Sequence, residues 1–341
     1  MNISFFDDKP DIDELDFRCS ILDKFKNINI NEMINLLFYG LPGSGKTTKI
    51  YAFLASILDK RVYDLKNMTF EEDRKSMPYK ASIYHIEVDP INLGSNEKLF
   101  IHSFLKNYVE TRNIGLDIPK IVFIKNSDKL LKQTQLALRK IVEKNSSTCK
   151  FIFEVSELSN FSEPLSSRCL LIRVLLPKIN EVEVCLKNFS ERRGYEITTE
   201  QIKKIIFESN RVNNLINLKK IFGFYRHYIT TKKNFKFLYY DTFDEILNFI
   251  NSKKISFVNL QKIRDLVNEM YINLVPMSEL IIFLYNKMTY KYNNNLNFQY
   301  KLLDLTIKCD LSLKKGNKEC LHVEYYIISI IDLLQNNSVV I

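Results

Sequence analysis

A glycine-rich loop at residues 40–47 carries the residue types that bind phosphate groups. It reads Gly40-Leu-Pro-Gly43-Ser-Gly45-Lys46-Thr47 and fits GxxxxGK[ST] at every fixed position. In such a loop the glycines let backbone N–H groups face the phosphates, and the start of the following helix adds positive charge. Lys46 would reach the β and γ phosphates, and the Thr47 hydroxyl would ligate Mg²⁺. We therefore expect ATP or ADP, with Mg²⁺, to be bound by Gly40, Gly43, Ser44, Gly45, Lys46, Thr47 and Thr48.

Lys125 and Asn126 follow an apolar strand at the place where a hydrolysing phosphate-loop protein carries two acidic residues. One carboxylate supports Mg²⁺, and in many families the next polarises the attacking water. Asn126 cannot accept a proton from water at neutral pH. Asp128 could replace the first carboxylate in part, but its place ahead of 130–138 favours a helix N-cap. The sequence thus predicts nucleotide binding with a poor capacity for hydrolysis, so that the bound nucleotide is structural.

Short apolar runs alternate with amphipathic segments over the first half of the chain. This alternation predicts an α/β fold, a parallel sheet flanked by helices on both faces. The stretch 60–80 is polar and mixed, and the pattern assigns it no element. The runs that we predict as strands lie at 36–39, 83–88, 121–124, 151–155 and 170–174, and the predicted helices between them at 47–58, 97–109 and 131–143.

Helical patterns replace the strand signals after Pro177. They predict three domains: a nucleotide-binding domain at 1–177, a small helical domain at 178–236 and a second all-helical domain at 237–341. Within the last domain, Thr242-Phe-Asp-Glu245 has capping-box spacing and predicts a helix start. The predicted helices lie at 180–192, 199–209, 213–228, 258–271, 277–290, 296–306 and 322–334.

Composition restricts the class of protein. The chain has 341 residues, of which 46% are hydrophobic and 26% charged, typical of globular domains. No run approaches the roughly 20 apolar residues of a membrane span, and the acidic start is unlike a signal peptide, so we expect an intracellular protein. The six cysteines are scattered, which favours reduced thiols. The net charge of +9 suits a nucleic acid partner, but a biased base composition could produce it equally well.

Two downstream segments resemble a known family. The segment 129–144 is similar to the helix that follows the acidic strand in replication factor C small subunits, and Glu163-Pro-Leu-Ser-Ser167-Arg168-Cys169 matches their Ser-Arg-Cys motif. The runs 84–90, 147–150 and 167–174 and the region from His322 look most like one particular small subunit of that family. The resemblance spans nearly the whole chain and is strongest over 36–60 and 80–175.

This resemblance implies an AAA+ P-loop sheet followed by a helical lid and an all-α collar that holds a heteropentamer together. It implies a nuclear DNA replication machine, the clamp loader, which places the ring-shaped sliding clamp PCNA on primer–template DNA. In that family the arginine of Ser-Arg-Cys acts in trans on a neighbouring subunit's ATP, so Arg168 would take that role. An arginine suits it because its planar cation can meet charge that develops on the γ-phosphate. A surface ion pair is the alternative role for Arg168.

Several positions depart from the family pattern or stay open. Ser156 stands where the family usually carries a polar sensor asparagine, and the lid arginine aligns near Asn214, with Arg211 close by. The resemblance also implies contacts with the DNA phosphate backbone. Lys98 is the first candidate for such a contact and Lys132 the second, and a solvated helix face is the alternative for each.

Two other functions remain open from the sequence. A self-sufficient P-loop ATPase would hydrolyse ATP at its own site, and the residues after Ile124 argue against it. A non-replicative AAA+ interaction scaffold would use the same fold without a ring clamp, and the proteins that co-purify with the chain would identify it.

Overall fold

The computed structural model describes residues 33–72, 74–111, 118–193, 195, 197–209, 217–231, 238–252, 257–273, 275–315 and 318–336. The described residues fall into two compact units. One comprises 33–203 with 217–226, and the other comprises 204–209 with the residues from 227 onward. The division differs from the predicted domain boundaries after 177 and 236, which stay predictions.

A seven-stranded sheet forms the first unit. Its order is β2-β3-β4-β5-β6-β1-β7, with β4, β5, β6, β1 and β7 parallel and β2, β3 and β4 antiparallel. The strands are β1 (Leu36–Tyr39), β2 (Lys66–Glu72), β3 (Lys75–Ala81), β4 (His85–Val88), β5 (Lys120–Ile124), β6 (Cys149–Val155) and β7 (Leu170–Arg173).

The central strands are apolar because helices cover both faces of the sheet. In β5, Ile121 and Phe123 join the core on one face, whereas Val122 and Ile124 join the core on the other. The first face packs against helix α1 (Lys46–Ile57), and the second against α2 (Lys132–Lys144) and a helical stretch before β5. Such side chains stabilise the fold by about 1.5–3 kcal/mol each when fully buried.

The predicted α/β fold is confirmed, with one addition. Residues 66–72 and 75–81, almost all within the stretch 60–80 that the sequence left unassigned, form the antiparallel hairpin β2–β3. The hairpin packs through Phe70 and Tyr79 against Phe104, with ring centroids 5.0 and 4.7 Å apart. The helix predicted at 97–109 is segmented and includes a π-helical stretch at Phe100–Leu105.

Eight helices follow β7 in the part of the chain that the structure describes. They are α3 (Ile179–Arg193), α4 (Thr199–Ser209), α5 (Leu218–Thr231), α6 (Leu238–Ser252), α7 (Phe257–Ile272), α8 (Met277–Lys291), α9 (Leu296–Lys315) and α10 (Glu319–Asn336).

Each unit has its own helical packing. In the first unit, Phe189 of α3 lies edge-on to Tyr225 of α5, with ring centroids 5.8 Å apart. In the second, α6 to α10 surround one apolar core. Helix α6 begins at Leu238, so the helix start predicted at Thr242 was wrong. No described helix is long and apolar enough to cross a membrane.

Candidate nucleotide site

The phosphate loop connects β1 to α1, as the sequence predicted. Gly43 and Gly45 have φ values of 79° and 84°, which favour glycine. Gly40 is required for space, because a Cβ there would lie 2.2 Å from the Val174 carbonyl oxygen. The loop therefore has the backbone shape that turns N–H groups toward a bound anion.

Lys46 lies folded over this loop. Its Nζ donates to the carbonyl oxygens of Gly40 at 2.8 Å and Leu41 at 3.1 Å, and to Ser156 Oγ at 3.4 Å. Burial lowers the pKa of Lys46, while the charges of Glu154 and Asp128 raise it. Ser156, the predicted sensor position, is thus brought to the phosphate loop.

Thr47 contacts a carboxylate that comes from the neighbouring strand β6. Its Oγ1 donates to Glu154 Oε2 at 3.0 Å and Oε1 at 3.1 Å. Glu154 is 9% exposed. Burial raises the pKa of Glu154, and the Thr47 hydrogen bond and the charge of Lys46 lower it. The P-loop hydroxyl is therefore already paired with an acidic group.

Lys125, at the end of β5, is partly buried and forms an ion pair with a buried acid of β4. Its Nζ lies 2.8 Å from Oε1 of Glu87, which is 4% exposed. The hydroxyl of Tyr51, on α1, also donates to Glu87. Burial raises the pKa of Glu87, and the adjacent Lys125 lowers it. The lysine in the place of the metal-supporting carboxylate is thus itself neutralised by an acid.

Asn126 and Asp128 point to different partners. Asn126, in the left-handed region at φ 43°, donates its amide to Asp89 Oδ2 at 3.1 Å. Asp128 Oδ1 accepts from the Ser156 backbone N–H at 3.2 Å. The helix α2 after it has no side-chain cap, so the N-cap prediction for Asp128 was wrong. Asp128 instead joins the ends of β5 and β6.

His85, on β4, lies beside this charged group. Its Nδ1 is 2.7 Å from Ser82 Oγ, and its ring centroid is 6.1 Å from that of Tyr51. Burial, followed by the charge of Lys125, lowers the pKa of His85 to about 4. The imidazole is therefore neutral at physiological pH.

Helix α5 reaches the phosphate loop at its N-terminus. The Leu218 N–H donates to the Gly43 carbonyl at 3.0 Å. A Cβ on Gly43 would lie 2.2 Å from Asn217 Oδ1, so the two residues are in close contact. The sensor candidates Arg211 and Asn214 lie outside the described residues.

The donor set fits a nucleotide phosphate. Ser44 Oγ is buried and has no hydrogen-bond partner. The positive-φ glycines, the Lys46 ammonium and the Thr47 hydroxyl add the groups that hold phosphate and its Mg²⁺. Thr48 lies exposed in the first turn of α1.

Arg168 lies away from this loop. Its guanidinium forms an ion pair with Glu143 of α2 and donates to the Pro164 carbonyl and, at 3.2 Å, to Ser167 Oγ. Because β7 runs parallel to β1 with Leu170 opposite Leu36, Arg168 and the phosphate loop lie at opposite ends of the sheet. The length of β1 separates them by roughly 13 Å, at about 3.3 Å per residue.

The two candidate DNA lysines lie on adjacent elements. Glu97, next to Lys98 in the chain, accepts hydrogen bonds at 2.8 Å from Leu131 N–H and Thr134 Oγ1 at the start of α2. Lys132 is the first residue of that helix, and both lysines are exposed. Glu97 thus fixes the position of one lysine-bearing segment against the other.

Sequence reasoning missed four residues at this site, namely Glu87, Glu154, Asp89 and Asn217. A signal existed for the first two, because each is an acid inside an apolar strand, and a buried charge requires a partner. For Asp89 and Asn217 the sequence carried no comparable signal.

The sequence was compared with known protein families, and one family match includes the phosphate loop. Residues 36–176 match the family described as "ATPase family associated with various cellular activities (AAA)". The chain is 28% identical to replication factor C subunit 5 of Neurospora crassa, over 59% of each chain. It is 31% identical to probable replication factor C subunit 3 of Dictyostelium discoideum, over 55% of this chain and 57% of that protein. These matches therefore span under two thirds of the relatives' length.

A third relative extends the similarity. Replication factor C subunit 3 of Arabidopsis thaliana is 22% identical over 91% of each chain. The predicted resemblance, to the subunit numbered three in animals and five in budding yeast, is confirmed by relatives of both names. Residues 36–176 are thus similar to the AAA family, and the chain is similar to subunits 3 and 5 of replication factor C.

Proposed function

We propose that the chain is a small subunit of a replication factor C clamp loader that binds ATP or ADP, with Mg²⁺, without efficient hydrolysis of its own. The observation that carries this proposal is an intact phosphate loop beside an end of β5 occupied by Lys125 and Asn126. Lys125 is bound to Glu87, and Asn126 donates to Asp89. Neither side chain can act as the base for an attacking water.

Arg168 would act on the nucleotide of a neighbouring subunit. Its place at the opposite end of the sheet from the chain's own phosphate loop supports action in trans. It is one third exposed and bound only by surface groups, so its release to a neighbour would cost little. At the neighbour it would meet charge that develops on the γ-phosphate.

The remaining parts would serve the assembly. Residues 1–177 would be the nucleotide-binding domain, 178–236 the lid and 237–341 the collar that joins a heteropentamer with the other replication factor C subunits. The complex would load PCNA onto primer–template DNA in the nucleus. Lys98 and Lys132, exposed on adjacent elements, would contact the DNA phosphate backbone.

The test is nucleotide binding and single-turnover hydrolysis on the same sample of the purified chain. We expect ATP or ADP to bind, Lys46→Ala to weaken binding, and turnover to be negligible. A steady rate of roughly 1 per second or above, abolished by Lys46→Ala, would show a self-sufficient ATPase instead. Co-purification of the native complex without related subunits or a ring clamp would show the interaction scaffold.

A further inference from the structure

Glu154 is an acidic residue inside an otherwise apolar central strand. It faces the same side of the sheet as Ile152, whose side chain joins the core beneath α1. Its two carboxylate oxygens accept from Thr47 Oγ1 at 3.0 and 3.1 Å. A buried carboxylate is costly unless it has partners, so its position at the phosphate loop requires an explanation.

Thr47 is the residue type that ligates Mg²⁺ in a phosphate loop, and the usual companion is a carboxylate close to it. Mg²⁺ keeps several waters and is held by one or two carboxylates plus the phosphates. The end of β5 carries Lys125 and Asn126 in these places, and Asp128 further on accepts from the Ser156 N–H. Strand β6, the neighbour of β5 in the sheet, supplies a carboxylate directly at Thr47. The buried, unpartnered Ser44 Oγ marks a further polar group at the same loop.

Besides Lys46, Lys125 is a cation that could balance the phosphates at this site. Its Nζ is already 2.8 Å from the buried Glu87 carboxylate and lies over the Tyr51 ring, 5.4 Å from the centroid. Its charge is therefore compensated locally. The charges of Lys46 and Lys125 act on Glu154, but this carboxylate would still repel the nucleotide phosphates more strongly without a divalent cation between them.

We propose that Glu154, in place of a residue at the end of β5, supports Mg²⁺ beside Thr47. This inference rests on the proposed function, since it requires that the phosphate loop binds a nucleotide. If Glu154 has this role, the affinity of the chain for a nucleotide depends strongly on Mg²⁺, even though the site hydrolyses ATP poorly. Bound Mg²⁺ would neutralise the phosphate charge.

The experiment measures the dissociation constant of a fluorescent ADP analogue for the full chain, in Mg²⁺ and in EDTA. For the unchanged protein we expect clearly tighter binding in Mg²⁺. For Glu154→Gln we expect the ratio of the two constants to fall by about 10-fold or more, as for other groups that support a bound metal. In EDTA the same variant should bind ADP at least as tightly as the unchanged protein, because a negative charge has been removed.

Glu97→Gln is the matched control, since Glu97 is a similarly buried acid, 3% exposed, that accepts from Leu131 N–H and Thr134 Oγ1 rather than from Thr47. It should keep the Mg²⁺ ratio of the unchanged protein. Glu154→Asp keeps the carboxylate and should keep part of the difference in ADP affinity between Mg²⁺ and EDTA. This variant tests the inference even if the glutamine variant does not fold. Mn²⁺ bound to the protein–ADP complex, counted by electron paramagnetic resonance, gives a second readout.

An unaltered Mg²⁺ ratio in folded Glu154→Gln would overturn the inference. So would equal ADP affinity in Mg²⁺ and EDTA for the unchanged protein, which would make Lys125 the compensating cation. If the unchanged protein binds no ADP in either buffer, the proposed function itself fails.

Discussion

Lys125 Nζ lies 2.8 Å from Oε1 of Glu87, and this ion pair joins two adjacent parallel strands at the edge of the nucleotide site. The pair explains how a lysine is tolerated where hydrolysing relatives of this fold place an acid. A charge brought into the sheet by one strand is compensated by the opposite charge on the next.

Removal of one member of this pair should destabilise the protein. In Lys125→Met, Glu87 keeps its contacts with Tyr51 and with the exposed Lys80, 3.9 Å away, but loses its near cation. We therefore expect a loss of about 2–3 kcal/mol in the free energy of unfolding. Urea unfolding followed by circular dichroism measures it. Lys129→Met, which removes an exposed lysine 3.5 Å from Asp128, should cost less than about 1 kcal/mol. The double variant Lys125→Met/Glu87→Gln should regain most of the loss, and strictly additive effects would contradict the coupling.

Gly43→Ala should weaken nucleotide binding and lower stability. An alanine at φ 79° is strained, and its Cβ would displace Asn217 from the loop. We expect a loss of about 1–3 kcal/mol, with reduced affinity for ADP. Gly94→Ala is the control, because φ is 54° there but a Cβ meets nothing within 4 Å. It should show only the strain of about 1–2 kcal/mol and leave ADP affinity unchanged. Equal ADP affinities for both variants would deny Asn217 a role at the loop.

His85 should make the protein less stable in acid. Its folded pKa of about 4 lies below the ordinary 6.5, so the unfolded chain binds the proton more readily. Its contribution is therefore complete above pH 6.5 and is lost as the pH falls toward 4, by about 3 kcal/mol in all. The free energy of unfolding at pH 7.5 and 4.5 should fall less for His85→Asn than for the unchanged protein. His102→Asn, at an exposed position, should match the unchanged protein, and an equal fall for His85→Asn would refute the assignment.

Arg168→Ala should affect a neighbouring site and not this chain. The ion pair with Glu143 lies at the surface, so its loss should change the thermal stability of the isolated chain little. In a reconstituted complex, hydrolysis at the adjacent site should fall by about 10³-fold or more. Glu143→Gln frees the same arginine and should leave that hydrolysis intact. The measurement is hydrolysis per site, with the phosphate loops of the other competent subunits disabled. Full turnover without Arg168 would make it a structural residue.

The parts of the fold that the sequence predicted are those with local signals. The phosphate loop has fixed spacing, and the central strands are continuous apolar runs. The hairpin β2–β3 was missed because polar and apolar residues mix along it, with Pro78 in the middle of β3. That proline is accommodated because β3 pairs with β4 only through Lys80 and Ala81.

The site was harder to predict than the sheet. The identity of Lys125 and Asn126 showed which groups were missing, but not which groups compensate for them. The contacts of Glu87 with Lys125 and of Glu154 with Thr47 depend on strand order and on which face of the sheet each side chain takes. Residues that are 38 and 107 positions apart in sequence meet only through that three-dimensional register.

The separation of Arg168 from the phosphate loop along the parallel strands has a consequence for symmetry. A chain that receives a neighbour's arginine at one end of its sheet and offers its own at the other makes heterologous, head-to-tail contacts. An arc of such chains has one fewer composite site than it has members, so one terminal phosphate loop meets no arginine. If Arg168 acts in trans as proposed, this chain, with Lys125 and Asn126 in the hydrolytic positions, would suit that terminal place, where a site without hydrolysis costs the assembly no catalytic centre.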